Sequence, residues 1–157
     1  MLSPLAGVTD KIFRKLVRKW APDSLLFTEM INATSLKKGY GSRKIKQLEL
    51  EGGPVGVQIF DNRPYAVSEA AKLAEDSGAF LIDINMGCPV KKISKKGGGS
   101  ALIKDRLLAI ELVKRVSKAV QIPVTIKTRL GWDNKEENIE EFLLNLQDSG
   151  ATMVTIH

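Results

Sequence analysis

Short apolar runs alternate with amphipathic stretches along nearly the whole chain. Residues 25–28, 55–60, 80–84, 124–128 and 153–156 are runs of four to six residues built largely from Val, Ile, Leu, Phe, Met and Thr. Runs of that length, bounded by Gly and Pro, read as buried strands. Between them, residues 10–20, 64–77, 105–120 and 135–149 have the composition and spacing of amphipathic helices. In the third, Leu108, Leu112, Val113 and Val116 share one helix face. Gly78 and Gly150 each follow a serine where a helix should stop, as a glycine-terminated helix requires. Asn62-Arg63-Pro64 places a capping residue and an early proline ahead of the second helix.

Strands alternating with helices, and too apolar to have a wet face, predict parallel βα units. Such units close into a (β/α)8 barrel or spread into an open doubly wound sheet. The polar residues separate the two. Glu29, Gln58, Asn85, Cys88, Lys127, Arg129 and His157 fall in or just after successive strands, near their C-terminal ends. An open sheet concentrates its site at one switch point, whereas a barrel gathers residues from consecutive strands around one mouth. No glycine-rich dinucleotide fingerprint opens any of the helices. The expectation is therefore an α/β chain of the (β/α)8 TIM-barrel class.

The five runs, with a strand remnant expected at residues 1–6, give about six strands, and a full barrel takes about 250 residues. Residues 1–157 are thus expected to be the N-terminal part of a barrel domain whose remaining strands lie elsewhere. An open barrel exposes sheet edges, so marginal stability is expected of the chain in isolation.

Composition adds little to the fold and something to the partners. A chain of 157 residues, 43% hydrophobic and 27% charged, is ordinary for a globular domain. No apolar stretch is long enough to cross a bilayer, and one cysteine makes no internal disulfide, which points to a cytoplasmic protein off the membrane. One Cys and one His make no zinc site. Lys and Arg outnumber Asp and Glu by 24 to 18, a formal charge of +6. The excess is clustered at Lys11 to Lys19, at Lys37 to Lys46, and at Lys91, Lys92, Lys95 and Lys96. Clusters of this kind attract polyanions, although Lys-rich solvated helix faces look the same.

The chemistry-bearing segment is Asp83-Ile84-Asn85-Met86-Gly87-Cys88-Pro89, which carries the only cysteine out of the fourth expected strand. By position Cys88 is a candidate reagent; by residue type it reads equally as a small buried hydrophobe. Six segments now stand in order: Pro4-Leu5-Ala6-Gly7-Val8-Thr9-Asp10, Val57-Gln58, Asn85-Met86-Gly87-Cys88-Pro89, Lys95-Lys96-Gly97-Gly98-Gly99-Ser100-Ala101-Leu102, Lys127-Thr128-Arg129 and Thr155-Ile156-His157. Together they resemble the flavin-dependent tRNA-dihydrouridine synthases, especially the bacterial B-type branch, from one end of the chain to the other. Leu5 is a departure, since many members carry Met there. The triple glycine is not a P-loop, because no Lys-Ser/Thr follows it.

The resemblance implies an FMN enzyme that reduces particular uridines of tRNA to 5,6-dihydrouridine with NADPH as electron source. Hydride from reduced FMN reaches C6 of the uracil, and Cys88 gives a proton to C5 as general acid, a role for which the thiol must hold its proton at neutral pH. It implies cofactor contacts from Pro4, Leu5, Ala6, Gln58, Asn85, Lys127 and His157. Lys127 would stabilise negative charge on reduced flavin, and Gln58 offers both the donor and the acceptor that the flavin's pyrimidine edge requires. Asn85 could touch flavin or fix the cysteine loop. Lys91, Lys92, Lys95, Lys96 and Arg129 would meet tRNA. The resemblance also implies a C-terminal helical tRNA-binding domain outside this sequence, no metal and no protein partner. Because FMN phosphate sites of barrels usually follow strands seven and eight, weak FMN retention is expected of residues 1–157 alone. Two other readings stay open: a barrel flavoenzyme acting on free pyrimidines, like dihydroorotate or dihydropyrimidine dehydrogenases, and a non-catalytic RNA-binding fragment.

Overall fold

The computed structural model describes residues 1–46, 48–133 and 139–157. Strand segments β1 (Leu26–Phe27), β2 (Ile31–Asn32), β3 (Val55–Phe60), β4 (Leu81–Asn85), β5 (Val124–Thr128) and β6 (Met153–Ile156) form one sheet. Every pairing is parallel. The strands lie side by side in chain order, β1 and β2 both pairing with β3, then β4, β5 and β6. Sequential parallel order without reversal is the order of a barrel wall, as opposed to a doubly wound sheet with its switch point. The fold is a sector of the (β/α)8 barrel.

β1 and β2 are two pieces of one barrel strand. From Phe27 to Ile31 the chain advances four residues, while their β3 partners Gly56 and Ile59 advance three. One extra residue in the Thr28-Glu29-Met30 stretch breaks the ladder in the manner of a bulge. The break aims Glu29 towards the N-terminal segment, where it accepts a hydrogen bond from the Gly7 N–H at 2.7 Å.

Helices α1 (Lys11–Trp20), α2 (Ala33–Lys37), α3 (Pro64–Asp76), α4 (Lys91–Ser94), α5 (Arg106–Ser117) and α6 (Ile139–Asp148) fill the connections. Asp10 caps α1 by accepting from the Phe13 N–H, and Asp105 caps α5 through the Leu108 N–H. The cap of α3 is Arg63 and not Asn62, and it makes no side-chain capping bond; Pro64 supplies the fixed φ of the first turn. The residue expected to open the last helix, Lys135, lies outside the described residues.

The core lies between sheet and helices. Val55, Val57, Ile59, Ile82, Ile84, Val124 and Ile126 pack with Val67, Ala70, Ala71 and Ala74 of α3 and Leu112, Val113 and Val116 of α5. Four buried alanines, at 66, 70, 71 and 74, make the inner face of α3 flat, which lets it lie close to β3 and β4. Paired positions in neighbouring strands face the same way and successive residues alternate, so the remaining positions face the opposite, concave side. There, Phe27, Gly56 and Leu81 are register partners. A Cβ on Gly56 would sit 2.8 Å from both Phe27 and Leu81 side chains, so the glycine makes room for an apolar floor.

The strand remnant expected at residues 1–6 is not a strand. Its one ladder-like bond is Leu2 N–H to the Leu25 carbonyl at 3.0 Å. Pro4 has no N–H to continue a ladder, and the Leu5 carbonyl turns back to accept from Val8 and Thr9. Helix α2, the single turn of α4 and the short 3-10 turns are additions that the apolar periodicity did not predict.

Candidate active site

Above the apolar floor the concave face turns polar, strand by strand. Gln58, Asp83 and Thr125 are register partners on β3, β4 and β5, and Asn85, Lys127 and Thr155 form the next row towards the C-terminal ends. The strands thus carry Val and Ile outward and amide, carboxylate, hydroxyl and ammonium groups inward. Gln58 and Asp83 are each 2% exposed and Asn85 is 9% exposed, so their polar atoms have to be satisfied internally.

They are. Gln58 Nε2 donates to Asp83 Oδ2 at 2.7 Å, and Asn85 Nδ2 donates to Gln58 Oε1 at 3.0 Å. Thr125 Oγ1 donates to Asp83 Oδ1 at 2.6 Å. Burial pushes the Asp83 carboxyl above the usual carboxylate range, although the bonds from Thr125 and Gln58 and the charge of Lys127 pull the other way. Lys127 is the register partner of Asn85, so its side chain leaves β5 on the same face as this cluster.

Asn85 carries the cluster into the cysteine loop. Its Oδ1 accepts from the N–H groups of Gly87 at 3.2 Å and Cys88 at 3.0 Å, an Asx turn that fixes where the loop leaves β4. From the other side the Arg129 Nε donates to the Gly87 carbonyl at 3.0 Å, and the Met86 N–H donates to the Lys127 carbonyl. The Ser100 N–H donates to the Cys88 carbonyl at 3.0 Å, which ties the triple glycine to the thiol. Cys88 itself is half-buried and free.

Gln58, Asn85, Cys88, Lys127 and Arg129 thus share one bonded cluster or its edge. Lys91, Lys92, Lys95 and Lys96 follow Cys88 on the same loop and all four are exposed. Pro4, Leu5 and Ala6 are placed otherwise: Leu5 bonds to Thr9, and the segment is held through Gly7 by Glu29, which Lys44 also meets at 3.0 Å. These contacts hold the Glu29 carboxyl below the usual range, the Gly7 N–H being the larger cause and Lys44 the next. His157 is exposed and continues the β6 pairing through its N–H to the Thr128 carbonyl. Asp83 and Thr125 are the cluster members that reading the sequence missed. The signal was available: a carboxylate inside an apolar run, two residues before Asn85 and so on its face.

Among the described residues no group of three His, Cys, Asp or Glu side chains is placed to hold a metal ion, and no helix is long and apolar enough to cross a membrane.

A parallel barrel wall with its polar residues gathered at the C-terminal ends of consecutive strands places the chain in the (β/α)8 barrel class, of which it forms a sector. The family is shown by comparison. The dihydrouridine synthase (Dus) family model matches residues 1–157. A probable tRNA-dihydrouridine synthase 1 from Synechocystis is 50% identical over 155 residues, which cover 99% of this chain and 44% of that protein. A probable tRNA-dihydrouridine synthase of Rhizobium leguminosarum is 40% identical, and tRNA-dihydrouridine synthase B of Vibrio parahaemolyticus is 38% identical, each over all of this chain and 49% of its own length. The chain belongs to the dihydrouridine synthase family, and it spans about half the length of the relatives it matches.

Proposed function

We propose that the full-length protein carrying this chain is a flavin-dependent tRNA-dihydrouridine synthase, with residues 1–157 supplying the acid and much of the flavin-facing wall. The observation that carries the reading is the joining of the Cys88 loop to Gln58 through Asn85, beside Lys127, on the concave face.

The donor set fits FMN. Gln58 keeps one N–H and one carbonyl lone pair beyond its bonds to Asp83 and Asn85, a match for the alternating donors and acceptors of a flavin's pyrimidine edge. Lys127 supplies a cation beside it, and Phe27 and Leu81 supply an apolar floor. When bound, FMN supplies the hydride for uracil C6, with NADPH as the electron source. Lys127 offsets the negative charge that flavin reduction brings, and Pro4, Leu5, Ala6 and His157 complete the cofactor's surroundings.

Cys88 Sγ holds the proton that C5 receives, so one hydride and one proton saturate the C5–C6 bond. Asn85 aims the thiol by capturing the loop's N–H groups, which leaves its own carbonyl no free lone pair. Lys91, Lys92, Lys95 and Lys96 meet tRNA phosphates, which position the substrate without reading its sequence. Arg129 both latches the loop and lies on the RNA side. A soluble cytoplasmic setting goes with this substrate.

The test is Cys88→Ala in the full-length protein. Flavin reduction by NADPH is expected to stay at the parent rate while dihydrouridine formation on bulk tRNA is lost. Unchanged dihydrouridine formation removes Cys88 from the mechanism. Turnover of free uracil or dihydroorotate in place of tRNA assigns the chain to free-pyrimidine chemistry.

A further inference from the structure

The bonds at the site run in one direction. The Gly87 and Cys88 N–H groups donate to Asn85 Oδ1, Asn85 Nδ2 donates to Gln58 Oε1, and Gln58 Nε2 donates to Asp83 Oδ2. A side-chain amide turned by 180° exchanges its donor for its acceptor, so its direction is a chemical choice and is set by its neighbours. One end of this chain of bonds is the loop that holds Cys88 and leads into the exposed lysines. The other end is Asp83, 2% exposed in the middle of β4, and braced by Thr125 at 2.6 Å.

We propose that Asp83 is a positioning residue that fixes the direction of the Gln58 amide, and thereby selects which hydrogen-bonding edge of a flavin or pyrimidine the concave face accepts. The inference rests on the flavin reading above and deepens it, since it assigns the specificity of the site to a residue that touches no ligand itself.

The physical case has three parts. First, an acceptor at Asp83 Oδ2 turns the Gln58 N–H side towards Asp83 and its carbonyl towards Asn85, so the remaining N–H and lone pair are presented in one fixed order. A donor there turns the amide over, which sets its Nε2 against Asn85 Nδ2, two donors facing each other. Second, both partners of Asp83 come from other strands, 25 and 42 residues away, so the sheet's register itself holds the carboxylate in place. Third, the direction survives a change of protonation. If Asp83 takes a proton on Oδ1, the Thr125 hydroxyl can turn to accept it and donate to the Ile82 carbonyl, 3.5 Å away, while Oδ2 still accepts from Gln58. Acceptance at Oδ2, and not the negative charge, is what the site needs.

That distinction gives the experiment, done on the full-length protein. Asp83→Asn can place its carbonyl towards Gln58 and its NH2 towards Thr125, so it preserves the direction; Asp83→Leu removes it. Two readouts are taken below the melting transition of each variant: the side-chain amide NMR signals of Gln58 without ligand, and FMN affinity by flavin fluorescence. Asp83→Asn is expected to keep one hydrogen-bonded Gln58 amide proton and FMN affinity within about twofold of the parent. Asp83→Leu is expected to move the Gln58 amide-proton shift to that of an unbonded amide and to lower FMN affinity about tenfold, the scale of one misplaced hydrogen bond. Thr125→Val, which loosens the brace but leaves Oδ2, is expected to lower the melting temperature more than the affinity.

If Asp83→Leu does not fold, the pair Gln58→Glu with Asp83→Asn decides. It restores a bond between the two side chains with the donor reversed, and is expected to fold yet bind FMN at least tenfold more weakly. Equal loss in Asp83→Asn and Asp83→Leu overturns the inference, as does a parent-like Gln58 signal in Asp83→Leu or parent-like affinity in the double variant. A parent protein that binds no FMN instead defeats the flavin reading, and the amide signals then decide the direction-setting role alone.

Discussion

Gly99 backs onto Cys88 so closely that no side chain fits between them: a Cβ there would lie 2.6 Å from the Cys88 carbonyl oxygen and 3.2 Å from the Cys88 Cβ. The obstacle is backbone, which cannot swing aside as a flexible side chain can. Gly99 also has φ +59°, in the left-handed region. Two constraints therefore meet at one residue, and both act on the position of the thiol.

Gly99→Ala is expected to shift the Cys88 loop and to cost about 1–2 kcal/mol from the backbone conformation alone. A 1 Å misplacement of a reacting group can cost about a hundredfold in rate. Dihydrouridine formation by the full-length protein should accordingly fall by between about ten and a hundredfold, with FMN affinity held near the parent value. An alanine variant with parent activity would show that the loop does not set the thiol's position.

The N-terminal helix is locked by charge. Arg14 and Glu51 are both buried and paired twice, Nε to Oε2 at 2.8 Å and the terminal nitrogen to Oε1 at 2.6 Å, and Arg14 also donates to the Thr9 carbonyl at 2.7 Å. Glu51→Ala strands a buried guanidinium, a change that costs about 3–5 kcal/mol. Urea unfolding of the full-length protein should show a loss of that size. Replacing both residues with apolar ones of similar volume should recover much of it, because the pair's benefit over an apolar contact is small.

The strands β3 to β6 were legible because buried parallel strands are written as apolar runs closed by Gly or Pro. The interruption between β1 and β2 was not, since one extra residue in Thr28-Glu29-Met30 alters register without altering hydropathy. Gln58, Asn85, Cys88 and Lys127 could be singled out because each stands at or near a strand's C-terminal end, where a barrel gathers its chemistry. Asp83 hid inside an apolar run, and its partners Gln58 and Thr125 become neighbours only through strand pairing. Sequence spacing shows which residues share a face of one strand. It does not show which residues of different strands share a row.

Acid should release the N-terminal segment before it disturbs the sheet. The Gly7 N–H and Lys44 hold Glu29 below the usual carboxylate range, so its folded pKa is depressed. Its contribution is present in full above the unfolded value of about 4.3 and is lost as pH falls through the folded one. Asp83 has the opposite sign: burial raises it, so its protonated form favours the fold, and that contribution is lost as pH rises through its folded pKa. The Gly7 amide shift is therefore expected to titrate at a pH below the ordinary glutamate range, and Glu29→Gln should abolish that step. A Gly7 titration that persists in Glu29→Gln would assign it to another group.

The lysines beyond Cys88 are the last element the reading depends on. Lys91, Lys92, Lys95 and Lys96 are exposed, and among the described residues no carboxylate is paired with any of them by an ion pair. Unpaired surface ammonium groups cost nothing to bring to a phosphate beyond their own ordering, and each phosphate they neutralise releases counterions. Charge reversal at Lys92 and Lys95 should therefore weaken tRNA binding by the full-length protein uniformly across tRNA species and lower the slope of log affinity against log salt by roughly two, about one per lost phosphate contact. FMN affinity and flavin reduction should not move, because neither lysine belongs to the Gln58–Asn85–Asp83 cluster. If affinity falls while the salt slope stays at its parent value, the lysines shape the loop and do not meet phosphate.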